Sequence, residues 1–533
     1  MCWISEDSWI ISNHPKVVIN NNNIRRIEMK NTALIFFIVL LLAPLLLSGG
    51  TLKLETNVKY ICDALLHDSL KLQAFIKSPD NKRIAYIYSN NTLSVWSITI
   101  DGKTFTYDYI APSTLVFSDN SKNVSFGAIK NGEAFVVLNG KEKRKYNNIS
   151  EKPLVYSFKE NDYAYSAKKG SKWFIVYNDI EGLGYDFICD SFPMFSPDGE
   201  QVIYAVNDGG KYRMVVNGVK GEAYDSILTF KPLFSSDGKR MIYGVKNNNK
   251  SFIVDNGKKM KSYDGITNNS LFLSPNLKRL AYSVYENNKY MVVVDGQENK
   301  CYDGLAEHYP IFTHDSEKYA YIGIEGGKQV VVVDTCENKS YGGIVYRSLT
   351  FNPKSHSYIY VARDKQKDII VKDGKEILSD KHILLDTNCF SPDGQRLAYR
   401  VYDGMKYKYI IDNNKTRGYD MARNFIFSPD GKRYAYAASD NNRWFVVVDG
   451  KEGKRYDGIL LGSLMFSHDS KYIVYAAGEG LKRFVVIDTV EGKRYDNIVG
   501  GGKTLQIDDK NRVYYFVYIS NKIYGIEENI NNK

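Results

Sequence analysis

The apolar positions of this chain recur in short runs at a fixed spacing. From Phe75 to Ile507, runs of four to six apolar residues alternate with short polar turns, and the pattern repeats about every 39 residues. Apolar runs without strict alternation are typical of strands that are buried on both faces. A period of this length indicates units that bury their apolar faces against their neighbours in sequence.

One copy shows the unit clearly. It runs from Phe427 through Ser-Pro-Asp-Gly to Tyr436, continues as Trp444-Phe-Val-Val-Val-Asp-Gly450, and ends as Arg455-Tyr-Asp-Gly-Ile459. Pro and Asp-Gly favour tight turns, and a β-branched run that ends in Asp-Gly is typical of a β-hairpin. Each copy therefore predicts four short strands.

Three positions identify the copies along the chain. An apolar landmark precedes the first turn, at Phe75, Phe117, Phe158, Phe195, Phe234, Leu273, Phe312, Phe351, Phe390, Phe427, Phe466 and Ile507. An aromatic residue occupies the second strand, at Tyr86, Phe126, Tyr165, Tyr204, Tyr243, Tyr282, Tyr321, Tyr360, Tyr399, Tyr436, Tyr475 and Tyr515. The fourth strand is centred on Tyr-Asp or Tyr-Asn, at Tyr146, Tyr185, Tyr224, Tyr263, Tyr302, Tyr419, Tyr456 and Tyr495.

Four antiparallel strands that are covered front and back by the next copy describe a blade of a β-propeller. The predicted fold is all-β, a propeller with twelve four-stranded blades. Propellers usually have four to eight blades, which favours two six-bladed rings, over residues 51–305 and 306–533. A single twelve-bladed ring is the alternative.

The ends of the repeat predict how a ring closes. The last copy stops after three strands, and Val58–Asp63, ahead of the first copy, reads as an isolated fourth strand. Pairing the two removes open strand edges. One ring would pair this segment with Lys522–Glu527, and two rings would pair it with Tyr290–Asp295.

The repeat resembles a known bacterial type. Phe-Ser-Pro-Asp-Gly-Lys-Arg-x-Ala-Tyr at 427–436, with close copies at 390–399 and 195–204, is similar to WD-type and especially TolB-like propeller repeats. Val-Asp-Gly stands where a WD repeat has Trp-Asp, which favours the TolB-like type. TolB itself serves a cell-envelope complex and has an α/β domain before its propeller. The short segment between the apolar run and the first blade leaves no room for that domain, so the resemblance implies the fold and an envelope location.

Residues 1–50 predict export. A polar leader precedes Met29, and fifteen apolar residues, 33–47, are followed by Ser48 and Gly50 at −3 and −1 of a cleavage site. This is a secretory signal pattern, and it predicts a periplasmic, cell-surface or extracellular protein. An uncleaved N-terminal anchor formed by residues 33–47 is the alternative, and it would be the chain's one contact with a membrane.

Charge and cysteines exclude some classes of protein. The net charge is +10, but the basic residues cluster as Lys-Arg pairs in repeated turns, such as Lys239-Arg240 and Lys432-Arg433, which predicts a solvated rim or attraction to an anionic partner. The chain has no arginine-rich tract, so nucleic acid is not expected.

The five cysteines after Cys2 show no Cys-x-x-Cys spacing, which predicts buried thiols rather than disulfides or a zinc site.

Motifs for catalysis are missing from the sequence. There is no Gly-x-Ser-x-Gly, phosphate-binding glycine loop or His-Glu-x-x-His. The repeated Asp residues read as turn caps, His314 and His468 as turn variants, and His356 as a surface residue. We therefore expect no catalytic residues, no metal site and no cofactor.

The loops that differ between copies are the expected place for binding. The turns that join strands one and two, and strands three and four, repeat closely between copies. The variable loops are therefore expected in the connections from strand four to strand one and from strand two to strand three. The candidate binding residues are Glu307, His308, Tyr309, Tyr346, Arg347 and Arg423.

The sequence thus predicts an exported, monomeric, non-enzymatic propeller that binds a protein or an anionic envelope polymer. The alternative is a polysaccharide lyase or glycosidase at the channel mouth. Convergence of Glu307, His308 and Arg347 on one pocket would favour the enzyme.

Overall fold

A computed structural model describes residues 52–532, except 64–69, 81, 91–94, 159–161, 190, 192, 229–230, 268–269, 307–309, 381, 386–388 and 521. The predicted signal or anchor, residues 1–50, lies outside this part. The described elements are β-strands and one turn of 3₁₀-helix, Gly501–Thr504. None of the described segments forms a helix of the length and hydropathy needed to span a bilayer.

The strands form twelve antiparallel sheets of four or five strands, arranged as the blades of one ring. Strand β1 (Leu52–Asp63) precedes blade one. Blades one to three contain β2 (Leu70–Lys77), β3 (Ile84–Asn90), β4 (Val95–Ile100), β5 (Lys103–Tyr107), β6 (Tyr109–Phe117), β7 (Val124–Lys130), β8 (Glu133–Leu138), β9 (Lys141–Glu142), β10 (Asn148–Ile149), β11 (Val155–Tyr156), β12 (Tyr163–Lys169), β13 (Lys172–Tyr177) and β14 (Ile180–Tyr185).

Blades four to seven follow the same order, with the first strand in two pieces. They contain β15 (Phe187–Ile188), β16 (Met194–Phe195), β17 (Val202–Asp208), β18 (Lys211–Val216), β19 (Val219–Lys220), β20 (Ser226–Ile227), β21 (Leu233–Phe234), β22 (Met241–Asn247), β23 (Lys250–Asp255), β24 (Lys258–Lys259), β25 (Gly265–Ile266), β26 (Phe272–Leu273), β27 (Leu280–Glu286), β28 (Lys289–Val294), β29 (Gln297–Glu298), β30 (Gly304–Leu305), β31 (Ile311–Phe312), β32 (Tyr319–Glu325), β33 (Lys328–Val333) and β34 (Cys336–Tyr341).

Blades eight to twelve complete the ring. They contain β35 (Gly343–Ile344), β36 (Thr350–Phe351), β37 (Tyr358–Asp364), β38 (Lys367–Lys372), β39 (Lys375–Asp380), β40 (His382–Leu384), β41 (Ala398–Tyr402), β42 (Tyr407–Ile411), β43 (Asn414–Lys415), β44 (Met421–Phe427), β45 (Tyr434–Asp440), β46 (Arg443–Val448), β47 (Lys451–Glu452), β48 (Gly458–Ile459), β49 (Met465–Phe466), β50 (Ile473–Glu479), β51 (Lys482–Ile487), β52 (Val490–Glu491), β53 (Asn497–Ile498), β54 (Gln506–Ile507), β55 (Arg512–Ile519) and β56 (Lys522–Asn532).

The second-strand aromatics form the core between blades. All twelve predicted residues are buried, from Tyr360 at 0% exposure to Tyr243 at 7%. The fourth-strand tyrosines pack against them edge-on, as Tyr341 does against Tyr360 with ring centroids 6.3 Å apart. Edge-to-face contacts add to the stabilisation from burial, so pairs of tyrosine rings pack at most of the blade interfaces, and the predicted register is confirmed.

Two of the twelve apolar landmarks are wrong. In most blades the landmark lies just before the serine or threonine of the turn and pairs with the start of the second strand, as Phe195 does with Val202. The equivalent pairs in blades one and three are Lys77 with Ile84 and Tyr156 with Tyr163. The predicted landmarks, Phe75 and Phe158, each lie two residues from the residue that occupies the landmark position in the fold.

The predicted turn chemistry is present. In blade ten, the Ser428 hydroxyl donates to Asp430 Oδ1 (2.6 Å), which also accepts from the Lys432 backbone N–H (3.1 Å). Ser428 Oγ accepts from the Arg433 N–H (2.9 Å). The Asp of this turn therefore caps the backbone, as expected for an Asx turn.

Arginines after these turns tie each blade to the next. Arg433 Nε donates to Asp449 Oδ2 within its own blade (2.9 Å), and its Nη1 donates to the carbonyls of Ser470 (3.3 Å) and Lys471 (2.5 Å) in blade eleven. Arg83, Arg240, Arg279 and Arg396 make the same contacts. Part of the positive charge is thus paired within the scaffold, and the side chains of Arg240 and Arg433 remain partly exposed to solvent.

The ring closes through its two ends. Strand β1 pairs antiparallel with β56 along its length, for example Val58 with Ile526 and Asp63 with Lys522. This is the pairing predicted for one twelve-bladed ring. Ile84 and Tyr86 of blade one pack in one cluster with Phe516 and Ile523 of blade twelve.

The preferred arrangement of two six-bladed rings is wrong. Thr51–Lys533 forms one compact unit. Blades six and seven, which the division at 305 and 306 would separate, share a core cluster and the arginine tie from Arg279 to Ser316 and Glu317. β30 and β31, which flank the proposed boundary, pair with the same strand, β32. The base rate for blade number favoured six, but the junction between blades six and seven has the same tyrosine packing and arginine contacts as other blade junctions.

The prediction of buried thiols is confirmed for some of the four cysteines that the structure describes and wrong for the others. Cys389 is buried and Cys189 is partly buried, whereas Cys301 and Cys336 are exposed. The two exposed cysteines lie on fourth-strand segments, at the outer edges of their sheets. The repeat does not require an apolar residue there.

Tyr360 offers a test of the tyrosine packing. Its ring is fully buried, and its hydroxyl makes no hydrogen bond of ordinary geometry with the described residues. Tyr360→Ala should lower the free energy of unfolding by roughly 3–5 kcal/mol, because it leaves a ring-sized cavity. Tyr360→Phe is the matched control and should cost little. Denaturant titration followed by circular dichroism measures both, and an equal loss in the two variants would contradict the packing role.

Glu528 makes ring closure depend on pH. Its side chain is fully buried and accepts hydrogen bonds from Thr56 (2.8 Å) on β1 and Tyr515 (2.9 Å) on β55. Burial raises the pKa of Glu528 above its usual value of 4.5. A raised pKa means that the folded state binds the proton more tightly than the unfolded state does, so this stabilisation is present at low pH and is lost as pH rises through the folded-state pKa.

Glu528→Gln should therefore raise the melting temperature at pH 7 relative to the unmodified protein, and this gain should shrink towards pH 4. A melting series from pH 4 to pH 8 measures the difference. A gain that does not change with pH would mean that ionisation of Glu528 does not weaken the closure.

Candidate functional site

The variable segments lie inside the first strands. Tyr456 pairs with Trp444 as part of the fourth strand of blade ten, and Gly458 already pairs with Gly478 of blade eleven. The connection from strand four to strand one is therefore very short, and the loops assigned to it are wrongly placed. They instead separate the two halves of a first strand, as residues 460–464 do between β48 and β49.

The loops from strand two to strand three are also tight. Asn441 and Asn442 turn the chain with φ values of 52° and 61°, and Asn287 and Asn288 do so with 50° and 62°. Asparagine accepts this left-handed conformation readily. Variation between blades is thus concentrated in the breaks of the first strand, along one edge of every sheet.

A buried hydroxyl closes many of these breaks. Ser463 donates to the Leu460 carbonyl (2.7 Å) and accepts from the Ala476 N–H (3.0 Å) of the second strand. Thr114 and Ser270 do the same, three residues before their landmarks, and Ser348 at the equivalent position accepts from the Val361 N–H (3.0 Å). The hydroxyl replaces a missing ladder bond, because a buried N–H left without a partner is costly.

Blade ten departs from this rule. Asn424 takes the place of the hydroxyl with φ 58°, and β44 continues through the break with a shift of register between Arg423 and Ile426. The strand therefore bulges at Arg423. Bulges often re-aim side chains next to functional sites.

Arg423 lies against an aromatic ring. Its guanidinium carbon is 4.2 Å from the centroid of the Trp444 ring. Its Nε is buried and has no hydrogen-bond partner among the described residues. Burial, and then the nearby charge of Arg400, lower the pKa of Arg423 from its ordinary value, although an arginine stays charged in a protein.

Arg400 supplies a second guanidinium next to the same strand. It follows Tyr399 on β41 of blade nine, lies 5.5 Å from the Tyr407 ring centroid and donates to the Ala422 carbonyl of β44. Two positive groups thus flank residues 422–423 and repel one another. An anion that binds between them relieves this repulsion, so we name Arg400, Tyr407, Arg423 and Trp444 the arginine site.

The other predicted residues do not join this site. Tyr346 and Arg347 lie in the break of blade eight, two blades away, where both are exposed and the guanidinium is 5.1 Å from the tyrosine ring centroid. Glu307, His308 and Tyr309 lie outside the described residues, so the convergence that would favour an enzyme stays untested. Of the three predicted residues that the structure describes, Arg423 has the most unusual surroundings.

Sequence reasoning missed Arg400, although the sequence contains a signal for it. The residue after each second-strand aromatic is small or apolar in eleven copies, and in the remaining copy it is Arg400. A charged residue at a position that is uncharged in every other copy is not required by the repeated fold, and this marks it as a candidate for function. Only the fold places it beside Arg423.

An apolar cavity of about 380 Å³ lies near the arginine site. Its lining includes the landmarks of three successive blades, Phe351, Phe390 and Phe427, and the turn prolines Pro353 and Pro392. Phe427 ends β44, the strand that carries Arg423. Blades eight to ten therefore combine apolar and cationic surface along one edge.

Comparisons with known proteins find solved structures of low similarity. No family model and no curated protein matches the chain. Similar solved structures include TolB from Acinetobacter baumannii (13% identity, 51% of this chain and 78% of that chain, TM-score 0.21) and the β-propeller domain of the Trilobed protease from Pyrococcus furiosus (15%, 50% and 97%, 0.24). An oligogalacturonate lyase in complex with manganese is also similar (12%, 62% and 96%, 0.23). Likenesses this low carry no function to this chain.

The arginine site and the scaffold ties should respond differently to the same substitution. Arg433→Met removes three hydrogen bonds and should lower the free energy of unfolding by roughly 1–3 kcal/mol. Arg423→Met removes a charge with an unpaired buried nitrogen and should leave stability unchanged or higher. Parallel thermal and denaturant melts compare the two, and a loss at Arg423 as large as at Arg433 would show that Arg423 is a structural residue.

Proposed function

We propose that this chain is an exported, non-enzymatic β-propeller that binds an anionic macromolecule at the first-strand edge of blades nine and ten. The observation that carries the proposal is Arg423, held on Trp444 with a buried unpaired Nε and with Arg400 nearby. Export rests on the signal pattern at residues 29–50, and the TolB-like repeat agrees with an envelope location.

The chemistry of the site favours carboxylates. A guanidinium presents donors in a planar fork that fits a carboxylate with two parallel hydrogen bonds. Stacking on Trp444 fixes the plane of Arg423 before a ligand arrives, which reduces the entropy lost on binding. A polymer carrying many carboxylates, such as an acidic envelope polysaccharide, matches this arrangement better than a neutral polymer does.

The contrast between arginines supports a binding role. Five arginines of the repeated turns donate to backbone carbonyls of the next blade and to an aspartate of their own blade. Arg423 Nε has no hydrogen-bond partner among the described residues, and Arg423 lies at a register shift in the first strand of blade ten. A partly buried charged residue that lowers stability and holds no other part of the fold in place is a candidate for function.

Binding of polygalacturonate to the full chain tests the proposal. Titration calorimetry at low salt should show binding to this carboxylated polymer and none to dextran, which is neutral. Arg423→Met should weaken binding at least tenfold, or about 1.4 kcal/mol. Lys432→Met removes the same charge from an exposed turn of the same blade and should change affinity less than twofold.

Two results would overturn the proposal. Equal weakening by Arg423→Met and Lys432→Met would indicate general charge attraction, which salt also screens. Failure of the unmodified protein to bind any carboxylated polymer or envelope protein, tested by a pull-down from envelope extract, would remove its basis.

A further inference from the structure

A second candidate site lies in the repeated turns between strands one and two, rather than in the variable first-strand breaks. Asp315 and Glu317 belong to the turn of blade seven, and His356 belongs to the equivalent turn of blade eight. His356 Nε2 is 2.6 Å from Asp315 Oδ2 and 3.3 Å from Glu317 Oε2. One ligand atom from each of the three residues lies within 4.8 Å of the others.

We propose that Asp315, Glu317 and His356 bind a divalent transition-metal ion, with Zn²⁺ as the best-fitting case, and that the ion links blades seven and eight. This inference is independent of the arginine site. One imidazole and two carboxylates are ligands that zinc accepts, and a fourth position would remain for water.

The spacing of the atoms suits a tetrahedral ion. Zinc–ligand bonds of about 2.0–2.1 Å place neighbouring ligand atoms roughly 3.3 Å apart in a tetrahedron. The His356–Glu317 separation of 3.3 Å already has this value. The His356–Asp315 separation of 2.6 Å must widen by about 0.7 Å to reach the tetrahedral spacing, which a rotation of the half-buried imidazole can supply.

Asp315 is preorganised as a ligand. Its Oδ1 accepts from the Thr313 hydroxyl (2.6 Å) and from the Glu317 N–H (3.0 Å), so Oδ2 is the oxygen presented to His356. The hydrogen bonds from Thr313 and the backbone, together with His356, lower the pKa of Asp315 to about 2. The carboxylate is therefore ionised at any physiological pH, as metal binding requires.

The sequence departs from the repeat at this turn. The position of Glu317 in blade seven is a lysine in six of the twelve copies, for example Lys278, Lys432 and Lys471. In the next copy the same position is His356. The turns of blades seven and eight thus have an acid and an imidazole at the position where those copies have a lysine. The fold brings Asp315 and His356 together although they lie 41 residues apart in the sequence.

Titration of the full chain with ZnCl₂ tests the inference. The exposed thiols of Cys301 and Cys336 are first blocked with iodoacetamide. Calorimetry at pH 7.5 should then show one ion per chain, and His356→Ala should weaken binding at least tenfold, or about 1.4 kcal/mol. His468→Ala is the matched control, because His468 is an exposed histidine of the equivalent turn in blade eleven, and it should leave the affinity unchanged.

Two further readouts separate a metal site from an ion pair. Zn²⁺ should raise the melting temperature of the unmodified protein but not of His356→Ala, because only a bound ligand stabilises the folded state. Glu317→Gln keeps the shape of the site and should also weaken binding. Equal affinity in the unmodified protein and His356→Ala, or no saturable binding, would show that the three residues form an ion pair only.

Discussion

Every sheet in this ring has two apolar faces and can bury them only against other sheets. A blade alone would expose the aromatic and β-branched side chains of its central strands on both faces of the sheet. The fold therefore depends on contact between neighbours, and above all on the junction where the ring closes. There β1 takes the place of the fourth strand that blade twelve lacks, and pairs with β56. Without it, β56 would present a row of unpaired backbone groups to solvent.

The closure contains a polar element in an otherwise apolar junction. Glu528 is fully buried and accepts from Thr56 and Tyr515, so it joins the N-terminal strand to two strands of the last blade. A buried carboxyl with two fixed donors requires one alignment of β1, because a slip by one residue would leave it unpaired. Register at the closure is therefore set by hydrogen bonding as well as by packing.

Much of the fold could be predicted from the sequence, because the interfaces repeat. The second-strand and fourth-strand tyrosines recur with nearly constant spacing, and all twelve second-strand aromatics are buried as predicted. The number of rings could not be predicted in the same way. Both arrangements satisfy every strand edge, and the difference lies in long-range contacts such as Arg279 with the carbonyls of blade seven.

The site was less predictable for a related reason. Arg423 was identified because its segment varies between copies, but the segment was assigned to a connection between blades. The short Tyr456–Gly458 link shows why, since the five residues of apparent loop, 460–464, lie inside a strand whose two halves pair with one partner. Arg400 comes from a different blade, and no local pattern connects it to Arg423.

The ring leaves little freedom for function. Tyrosine pairs occupy the blade interfaces, and capped turns and arginine ties occupy the ends of strands one and two, so a change there disturbs two blades at once. The breaks in the first strands are different, because a single hydroxyl such as Ser463 satisfies the backbone across the gap. Where that hydroxyl is replaced, as at Asn424 in blade ten, the strand can bulge and turn Arg423 onto Trp444 without disturbing the adjoining interfaces. Binding residues can therefore change from blade to blade at this edge while the scaffold stays the same.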